Sequence, residues 1–285
     1  MVHIQSVKAA RTSINRRRED IQAFAAAPNL DMKDKVVVIL GNSPALKEVD
    51  LSVLDDVVTI GVNRVAGVYK PSALLFTDPP IYYVEKETYD TFEGPIFTWH
   101  GITHSLECLK RPNVRYFNLQ PEIMNLKHIK WPSTLDDPLI REGTTPPYAI
   151  QMAVLGGAKA VGILGVDHSA PDRHARGQET HFFGTVRGSW YCRACTQWCG
   201  PKQVVRRNRA RVCPNCRAEN QLMRLASTGG GGWTKVHDAF YKQCRQWAAA
   251  RGTAMFNLSP FADTLIHKAE WPKMTCEDLV RTHHG

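Results

Sequence analysis

The chain has 285 residues, of which 43% are hydrophobic, and it carries a formal net charge of +9. This length allows about two domains, one with a substantial core and one smaller. No apolar run approaches the roughly 20 residues that span a bilayer, and the N-terminal segment lacks the apolar middle of a signal peptide. These features argue against a membrane or secreted protein, so we expect a cytoplasmic protein whose positive charge attracts polyanions or phosphorylated molecules.

The first predicted elements are a basic amphipathic helix over residues 1–30 and a buried strand. Val36–Leu40 is a continuous apolar run, typical of a strand covered on both faces of a parallel sheet. Gly41, Asn42 and Ser43 then predict a tight turn into a helix. Because open α/β sheets bind ligands at the carboxyl ends of their strands, we expect a nucleotide pocket here, with helix N–H groups facing a phosphate. An ordinary turn capped by Ser43 is the alternative.

Further strands and helices alternate along the rest of the chain. This alternation predicts an α/β fold, a Rossmann-like and mainly parallel sheet with helices on both faces, formed by residues 31–189 and 225–285. The predicted strands are Val57–Val62, Ala73–Thr77, Pro95–Thr98, Ala160–Leu164 and Thr253–Leu258, and the clearest helices are Tyr148–Leu155 and Lys235–Arg251.

Polar residues follow several of the predicted strands. Asn63, Asp78 and Asp167 each come directly after an apolar run, as Asn42 and Ser43 do. Since the carboxyl ends of parallel strands meet at one edge of a sheet, these side chains are expected to line one pocket. The candidate donor-binding residues are Gly41, Asn42, Ser43, Asn63, Asp78, Arg141, Thr144 and Thr145. Each of them also has an ordinary interpretation as a cap or turn residue.

Two cysteine pairs mark an insertion over residues 190–224. Cys192-x-x-Cys195 and Cys213-x-x-Cys216 are separated by seventeen residues, a spacing typical of a zinc ribbon. Four thiolate ligands leave no position for water, so the zinc is predicted to be structural. Two disulfides are the alternative, and Cys199 is a spare candidate ligand.

The insertion is also rich in arginine and aromatic residues. Cations and aromatic rings on a rigid ribbon favour contact with nucleic acid. A structural clip or a protein contact is the alternative. The candidate nucleic-acid-binding residues are Arg206, Arg207, Arg209 and Arg211, with Trp190, Tyr191 and Trp198 nearby.

The ordered set of turns resembles the superfamily that unites bacterial sialyltransferases of the Campylobacter type with hydroxymethylpterin pyrophosphokinase-like proteins. The resemblance spans residues 34–184 and 233–275. The segments that carry it are GNSPALKEVD from Gly41, GVNR from Gly61, REGTTPPYA from Arg141, GVDHS from Gly165 and FNLSP from Phe256.

This resemblance implies a Rossmann-like domain that binds a nucleotide-activated donor, with Asn42, Ser43, Asn63, Thr144 and Thr145 around the nucleotide. It also implies a histidine base near the last long helix, which matches His237 approximately. His181 lies where the sialyltransferases have a tyrosine that steadies the leaving phosphate. The predicted catalytic residues are His181, His237 and Asp167, with His168 and His174 as weaker candidates.

Three functions follow from these features. The first is a glycosyltransferase that moves a sugar from a nucleotide sugar to a hydroxyl acceptor, either a hydroxymethylated base in phage DNA or a surface glycan. The second is a pterin-type pyrophosphokinase with Mg²⁺ bound by Asp78 and Asp167. The third is a non-enzymatic nucleic-acid-binding protein.

Overall fold

The computed structural model places most of the sheet domain and much of the insertion. It describes residues 30–99, 111–120, 129–167, 190–192, 194–195, 198–199, 204–207, 210–224, 232–262, 264, 266 and 269–283. The predicted basic helix, the three histidines at positions 168, 174 and 181, and the predicted nucleic-acid-binding residue Arg209 lie outside these residues. Among the helices described, none combines the length and the apolar character needed to cross a membrane.

Seven parallel strands form the main sheet. They are β1 (Val36–Leu40), β2 (Val58–Val62), β3 (Ala73–Leu75), β4 (Ile96–Trp99), β5 (Val114–Phe117), β6 (Ala160–Leu164) and β12 (Ala254–Asn257). Their spatial order is β12-β6-β1-β2-β3-β4-β5. The chain starts near the middle of the sheet, builds outward on one side to β5, and then returns to the other side of β1. The strand order therefore reverses between β1 and β6, where such sheets bind ligands.

Helices cover both faces of this sheet. The α-helices described are α1 (Pro79–Val84), α2 (Lys86–Thr91), α3 (Pro146–Leu155), α4 (Gly232–Ala249) and α5 (Cys276–His283). Val37 and Ile39 of β1 pack in a core with residues of α3 and α4. The alternate residues Val36, Val38 and Leu40 pack in a second core with Leu279 of α5. The expected α/β class with a doubly covered, parallel sheet is confirmed, since β1 is buried at all five positions.

The sequence predicts a helix after Ser43, and this prediction is wrong. Pro44–Lys47 forms only one 3-10 turn. Asp50 starts a second 3-10 turn, Leu51–Leu54, because its carboxylate accepts a hydrogen bond from the N–H of Ser52 at 3.0 Å. This local cap divides the segment into two short pieces.

Strand β5 is present in the structure but is not among the strands that the sequence predicts. Its pattern of Val114, Arg115, Tyr116 and Phe117 is short, and only its two end residues are buried. Beyond it, Leu119 pairs with Leu139, and at the opposite edge Asn257 of β12 pairs with Lys273. Both outer strands of the sheet thus meet another chain segment at their carboxyl ends.

The insertion forms two small antiparallel units. The first is built from β7 (Trp190–Cys192), β8 (Trp198–Cys199) and β11 (Leu222–Arg224), which make a three-stranded sheet in the order β11-β7-β8. The second is a hairpin of β9 (Val205–Arg207) and β10 (Ala210–Val212). We call residues 190–224 the ribbon. Its strand β11 lies against helix α1 of the main domain.

Candidate functional site

The turns after β1 and β6 approach each other closely at the point where the strand order reverses. The N–H of Gly41 donates to the carbonyl of Leu164 at 2.8 Å, and the N–H of Ser43 donates to the carbonyl of Gly165 at 2.9 Å. A Cβ on Gly41 would lie 2.1 Å from the carbonyl oxygen of Gly165. Only glycine fits at position 41, because the backbone of the neighbouring turn occupies the space of a side chain.

Ser43 and Asp167 close this junction through their side chains. The hydroxyl of Ser43 donates to the carboxylate of Asp167, and both residues are buried. The same hydroxyl accepts a hydrogen bond from the N–H of Ala45 at 3.0 Å. The N–H groups of Gly41, Ser43 and Ala45 are thus used within the protein, and Ser43 acts as the cap that the alternative interpretation predicted.

A polar network extends from this junction across the ends of β1, β2 and β3. The side-chain oxygen of Asn42 accepts from the N–H of Arg64 at 3.1 Å. Asn63 has a positive φ of 57°, and its side-chain oxygen accepts from the hydroxyl of Thr145 at 3.4 Å. The hydroxyls of Thr145 and Thr77 are 2.9 Å apart. The predicted site residues Asn42, Asn63 and Thr145 therefore lie at one edge of the sheet, as expected.

Glu142 and His237 form a buried acid–imidazole pair beside this network. One carboxylate oxygen of Glu142 contacts Nδ1 of His237, which α4 positions. The other oxygen accepts hydrogen bonds from Thr144, from its N–H at 3.1 Å and from its hydroxyl at 2.8 Å. Glu142 is 1% exposed and His237 is 6% exposed. A buried carboxylate that orients an imidazole is the arrangement of a general base.

Burial lowers the pKa of His237 to about 4. The neighbouring Glu142 carboxylate favours the protonated imidazole and acts in the opposite direction, but desolvation of the imidazolium is the larger effect on the pKa. We therefore assign a neutral imidazole at pH 7 that donates its Nδ1 proton to Glu142. In this tautomer Nε2 carries the lone pair that can accept a proton.

Arg141 brings a positive charge to the same edge. Its guanidinium carbon lies 5.3 Å from the centre of the Trp99 ring, at the end of β4. The indole N–H of Trp99 donates to the carbonyl of Thr77 at 3.1 Å, which fixes the ring. The guanidinium group is planar, and contact with the ring restricts its rotation, so its N–H donors keep an orientation that suits phosphate oxygens.

Helix α3 starts at this edge but offers few amides there. Pro146 and Pro147 occupy its first two positions and have no N–H, and the N–H of Tyr148 donates to the carbonyl of Thr145 at 3.1 Å. The polar groups at this end of α3 are therefore the side chains of Thr144 and Thr145, which are bonded to Glu142 and to Asn63 and Thr77, and the Arg141 guanidinium.

Asp78 lies at the amino end of α1, directly after β3. Burial raises the pKa of its carboxyl group. Among the described residues, its side chain makes no capping hydrogen bond to α1. It remains a candidate for contact with a ligand rather than a helix cap.

The four predicted zinc ligands converge in the ribbon. The Sγ atoms of Cys192 and Cys216 are 3.7 Å apart, as are those of Cys195 and Cys213, and all four sulfurs lie within 4.8 Å of one another. Four sulfurs at about 2.3 Å from a tetrahedral zinc ion are about 3.8 Å apart, whereas a disulfide needs about 2.05 Å. All four of these cysteines are free thiols. The cluster therefore has the dimensions of a four-thiolate site for a metal such as zinc.

Backbone groups prepare this cluster for a metal. Burial raises the pKa of the Cys213 thiol, but hydrogen bonds from the N–H groups of Cys216 and Asn215, together with contacts to the Cys192 and Cys216 thiols, outweigh it and lower that pKa to about 6. Burial raises the pKa of the partner thiol Cys192. Thiolate is the form that binds a metal ion. With four sulfur ligands the ion has no open position, so its role would be to stabilise the ribbon.

Comparison of the chain with protein-family models, with curated proteins and with solved structures finds no match. Its function is therefore inferred from the fold and from the geometry of the two sites.

We call the polar residues at the carboxyl ends of the strands, together with Glu142, His237 and Arg141, the carboxyl-edge site. Three residues of this site cannot be identified from the sequence pattern. Glu142 lies in the REGTTPPYA segment, but its role depends on His237, which is 95 positions away. Thr77 falls at the end of a predicted strand, and Trp99 carries no recognisable signal. A buried charge in a loop that precedes a helix is the one sign that could have identified Glu142.

Proposed function

We propose that the protein is a nucleotide-sugar-dependent glycosyltransferase that acts on a hydroxyl acceptor. The observation that carries this proposal is the buried Glu142–His237 pair, placed beside a polar network at the carboxyl edge of a parallel sheet. A neutral histidine oriented by a carboxylate supplies the base that a hydroxyl nucleophile needs. The free thiols of the ribbon and a cytoplasmic supply of nucleotide sugars are consistent with a cytoplasmic location.

In the proposed reaction, Nε2 of His237 takes the proton of the acceptor hydroxyl. The acceptor oxygen forms a bond to the anomeric carbon while the bond between that carbon and the donor phosphate breaks, and the electron pair leaves on the phosphate oxygen. Glu142 stabilises the imidazolium that forms. Its hydrogen bonds with Thr144 fix the carboxylate in place.

The departing nucleotide needs hydrogen-bond donors or positive charges at the same edge of the sheet to stabilise its phosphate. Arg141, held on the Trp99 ring, is the cation nearest to the threonine pair in the sequence and supplies charge to the leaving phosphate. The side chains of Asn42, Asn63 and Thr145 provide the polar surface that the nucleotide would contact.

The strand order favours glycosyl transfer over the Mg²⁺-dependent pyrophosphokinase alternative. Asp78 follows β3 and Asp167 follows β6, and these strands are separated by β2 and β1. Three strand spacings amount to about 14 Å. Two carboxylates that share one Mg²⁺ must each approach it to about 2.1 Å, and Asp167 is bonded to Ser43 besides.

The proposal is tested by incubating the protein with a panel of nucleotide sugars and with ATP, and by measuring the nucleotide released with and without hydroxyl acceptors. We expect one nucleotide sugar to be consumed and the acceptor to gain the mass of the sugar. His237→Gln should lower the turnover by at least about 100-fold while donor affinity changes little.

The matched control is His283→Gln, since this histidine lies on α5 and packs against Phe256. Its turnover should equal that of the wild type. Release of AMP from ATP, or equal activity of the wild type and His237→Gln, would overturn the glycosyltransferase proposal.

A further inference from the structure

We propose that the ribbon binds a nucleic acid and presents it to the carboxyl-edge site, so that the acceptor hydroxyl is carried by a nucleic acid. The role of this nucleic acid as acceptor rests on the proposed function. The charged surface of the ribbon, which is the physical basis for binding, is independent of that function.

The ribbon contains most of the excess positive charge of the protein. Residues 190–224 have eight Lys and Arg residues and one Glu, which gives +7 of the total of +9. Zinc with four thiolates adds a charge of −2, so the loaded ribbon retains +5 on 35 residues. A charge density of this kind attracts a polyanion more strongly than the sheet domain does, since residues 31–189 and 225–285 carry no excess of positive charge.

Within the ribbon, the guanidinium of Arg211 lies over an aromatic ring. Its guanidinium carbon lies 4.4 Å from the centre of the Trp190 ring, and Arg211 is exposed. When an indole ring covers one face of a guanidinium, the other face and the N–H groups at its edge can contact a ligand. Nucleobases stack on such planes, and phosphates accept from their edges.

The backbone places a second arginine directly beside Arg211. In the hairpin, position 206 pairs with position 211, so two arginines are opposite each other in the register of β9 and β10. Like charges opposite each other in a hairpin destabilise it unless an anion neutralises them. This pairing therefore favours an anionic ligand over a neutral one.

The position of the ribbon connects this surface with the site. Strand β11 lies against α1, and α1 begins directly after Asp78 at the carboxyl edge. Trp190 belongs to β7, the strand paired with β11, and is thus about one strand spacing, roughly 4.8 Å, further out. A strand of nucleic acid stacked on Arg211 would be within a few nucleotides of the sheet edge.

The test measures binding of a fluorescently labelled single-stranded DNA of about 20 nucleotides by anisotropy over a range of salt concentrations. We expect binding that weakens steeply with salt. Arg211→Glu should weaken it about tenfold or more and lower the salt slope by at least about 1. Arg211→Lys keeps the positive charge but removes the planar guanidinium, so it should weaken DNA binding by about threefold.

The matched control is Arg281→Glu, the same change of charge on an exposed helix of the sheet domain. It should alter DNA binding by less than about twofold. Unchanged zinc content in every variant shows that the ribbon is folded. Equal effects of Arg211→Glu and Arg281→Glu would overturn the inference, and so would equal competition by dextran sulfate at the same charge, which would indicate a glycan acceptor.

Two further measurements separate this inference from the proposed function. Donor binding and slow donor hydrolysis in the absence of DNA should be the same in Arg211→Glu as in the wild type. His237→Gln should bind DNA normally but transfer no sugar. Donor turnover without DNA binding would refute only the acceptor inference, and DNA binding without any donor turnover would refute only the glycosyltransferase.

Discussion

At the residue scale, the site depends on a small number of buried polar contacts that neighbouring strands bring together. Glu142 connects His237 to Thr144, and Thr145 connects Asn63 to Thr77. Buried polar groups of this kind stabilise a structure only when their partners are present. The same contacts that orient the His237 imidazole therefore also contribute to stability.

The buried imidazole makes stability depend on pH. The pKa of a histidine in the unfolded chain is about 6.5, whereas burial lowers the pKa of His237 to about 4. Between these values the unfolded state binds a proton that the folded state does not. We expect the free energy of unfolding to fall by up to about 3 kcal/mol as the pH drops from about 6.5 to about 4, and to show no such change at higher pH. Urea unfolding at pH 7 and at about pH 4.5 measures this loss.

The control for this prediction is His237→Gln, in which the pH-dependent loss should be smaller by the same amount. An NMR titration that gave a pKa above the ordinary histidine value for His237 would contradict the prediction. It would mean a charged imidazolium paired with Glu142, whose stabilisation would be lost as the pH rises.

Residues that depend only on their position in a strand-and-turn pattern are predictable from the sequence. Asn42 and Asn63 can be identified because each follows an apolar run, and the cysteines can be identified from their spacing. Glu142 and Trp99 cannot, since their roles depend on side chains from distant elements. The importance of Glu142 is visible only once α4 brings His237 against it.

At the scale of elements, long apolar strands are predictable and short ones are not. The six predicted strands are all present. A continuous apolar run between turn residues is typical of a strand that is covered on both faces of a parallel sheet. The edge strand β5 escapes prediction because its two middle residues are partly exposed. The helix expected after Ser43 is wrong because a local cap at Asp50 outweighs helix propensity.

The contact between the turns after β1 and β6 gives an element-scale prediction. Gly41→Ala should destabilise the protein by about 3 kcal/mol or more, because its Cβ would lie 2.1 Å from the carbonyl oxygen of Gly165, which cannot move without losing its hydrogen bond from the N–H of Ser43. The measurement is the free energy of urea unfolding. Gly67→Ala is the matched control, since a Cβ there meets nothing within 4 Å, and its stability should stay within about 0.5 kcal/mol of the wild type. Equal effects of the two changes would contradict the prediction.

At the scale of the whole molecule, the protein combines two parts with different sources of stability. The sheet domain has two large apolar cores, one on each face of β1, and a smaller third one that includes residues of α1 and α2. The ribbon core described contains little more than Cys192, Cys213 and Leu222. A unit with so few apolar residues needs another source of stability, which a metal bound by the four cysteines would supply.

We expect removal of the metal to unfold the ribbon and to leave the sheet domain folded. Treatment with a strong chelator should release about one zinc ion per chain, abolish DNA binding and leave the helical circular dichroism signal and donor binding nearly unchanged. Cys216→Ser should reproduce this effect, whereas Cys244→Ser, at a buried cysteine of α4 outside the cluster, should keep its zinc. Loss of the whole fold on chelation would contradict this separation.

The chain segments that pair with the carboxyl ends of the two outer strands also affect how copies of this protein can meet. At each edge the residue that pairs with the outer strand follows a proline, Pro138 or Pro272, which has no N–H to offer a further strand. Arg115 adds a charged group on β5, where its guanidinium donates to the carbonyl of Val114 at 2.9 Å. A parallel sheet rich in valine and isoleucine is a template for aggregation when its edges are open. At the carboxyl ends of the two outer strands, these pairings use backbone groups that an eighth strand would need, so edge-to-edge contact between copies of the protein is expected to be weaker there.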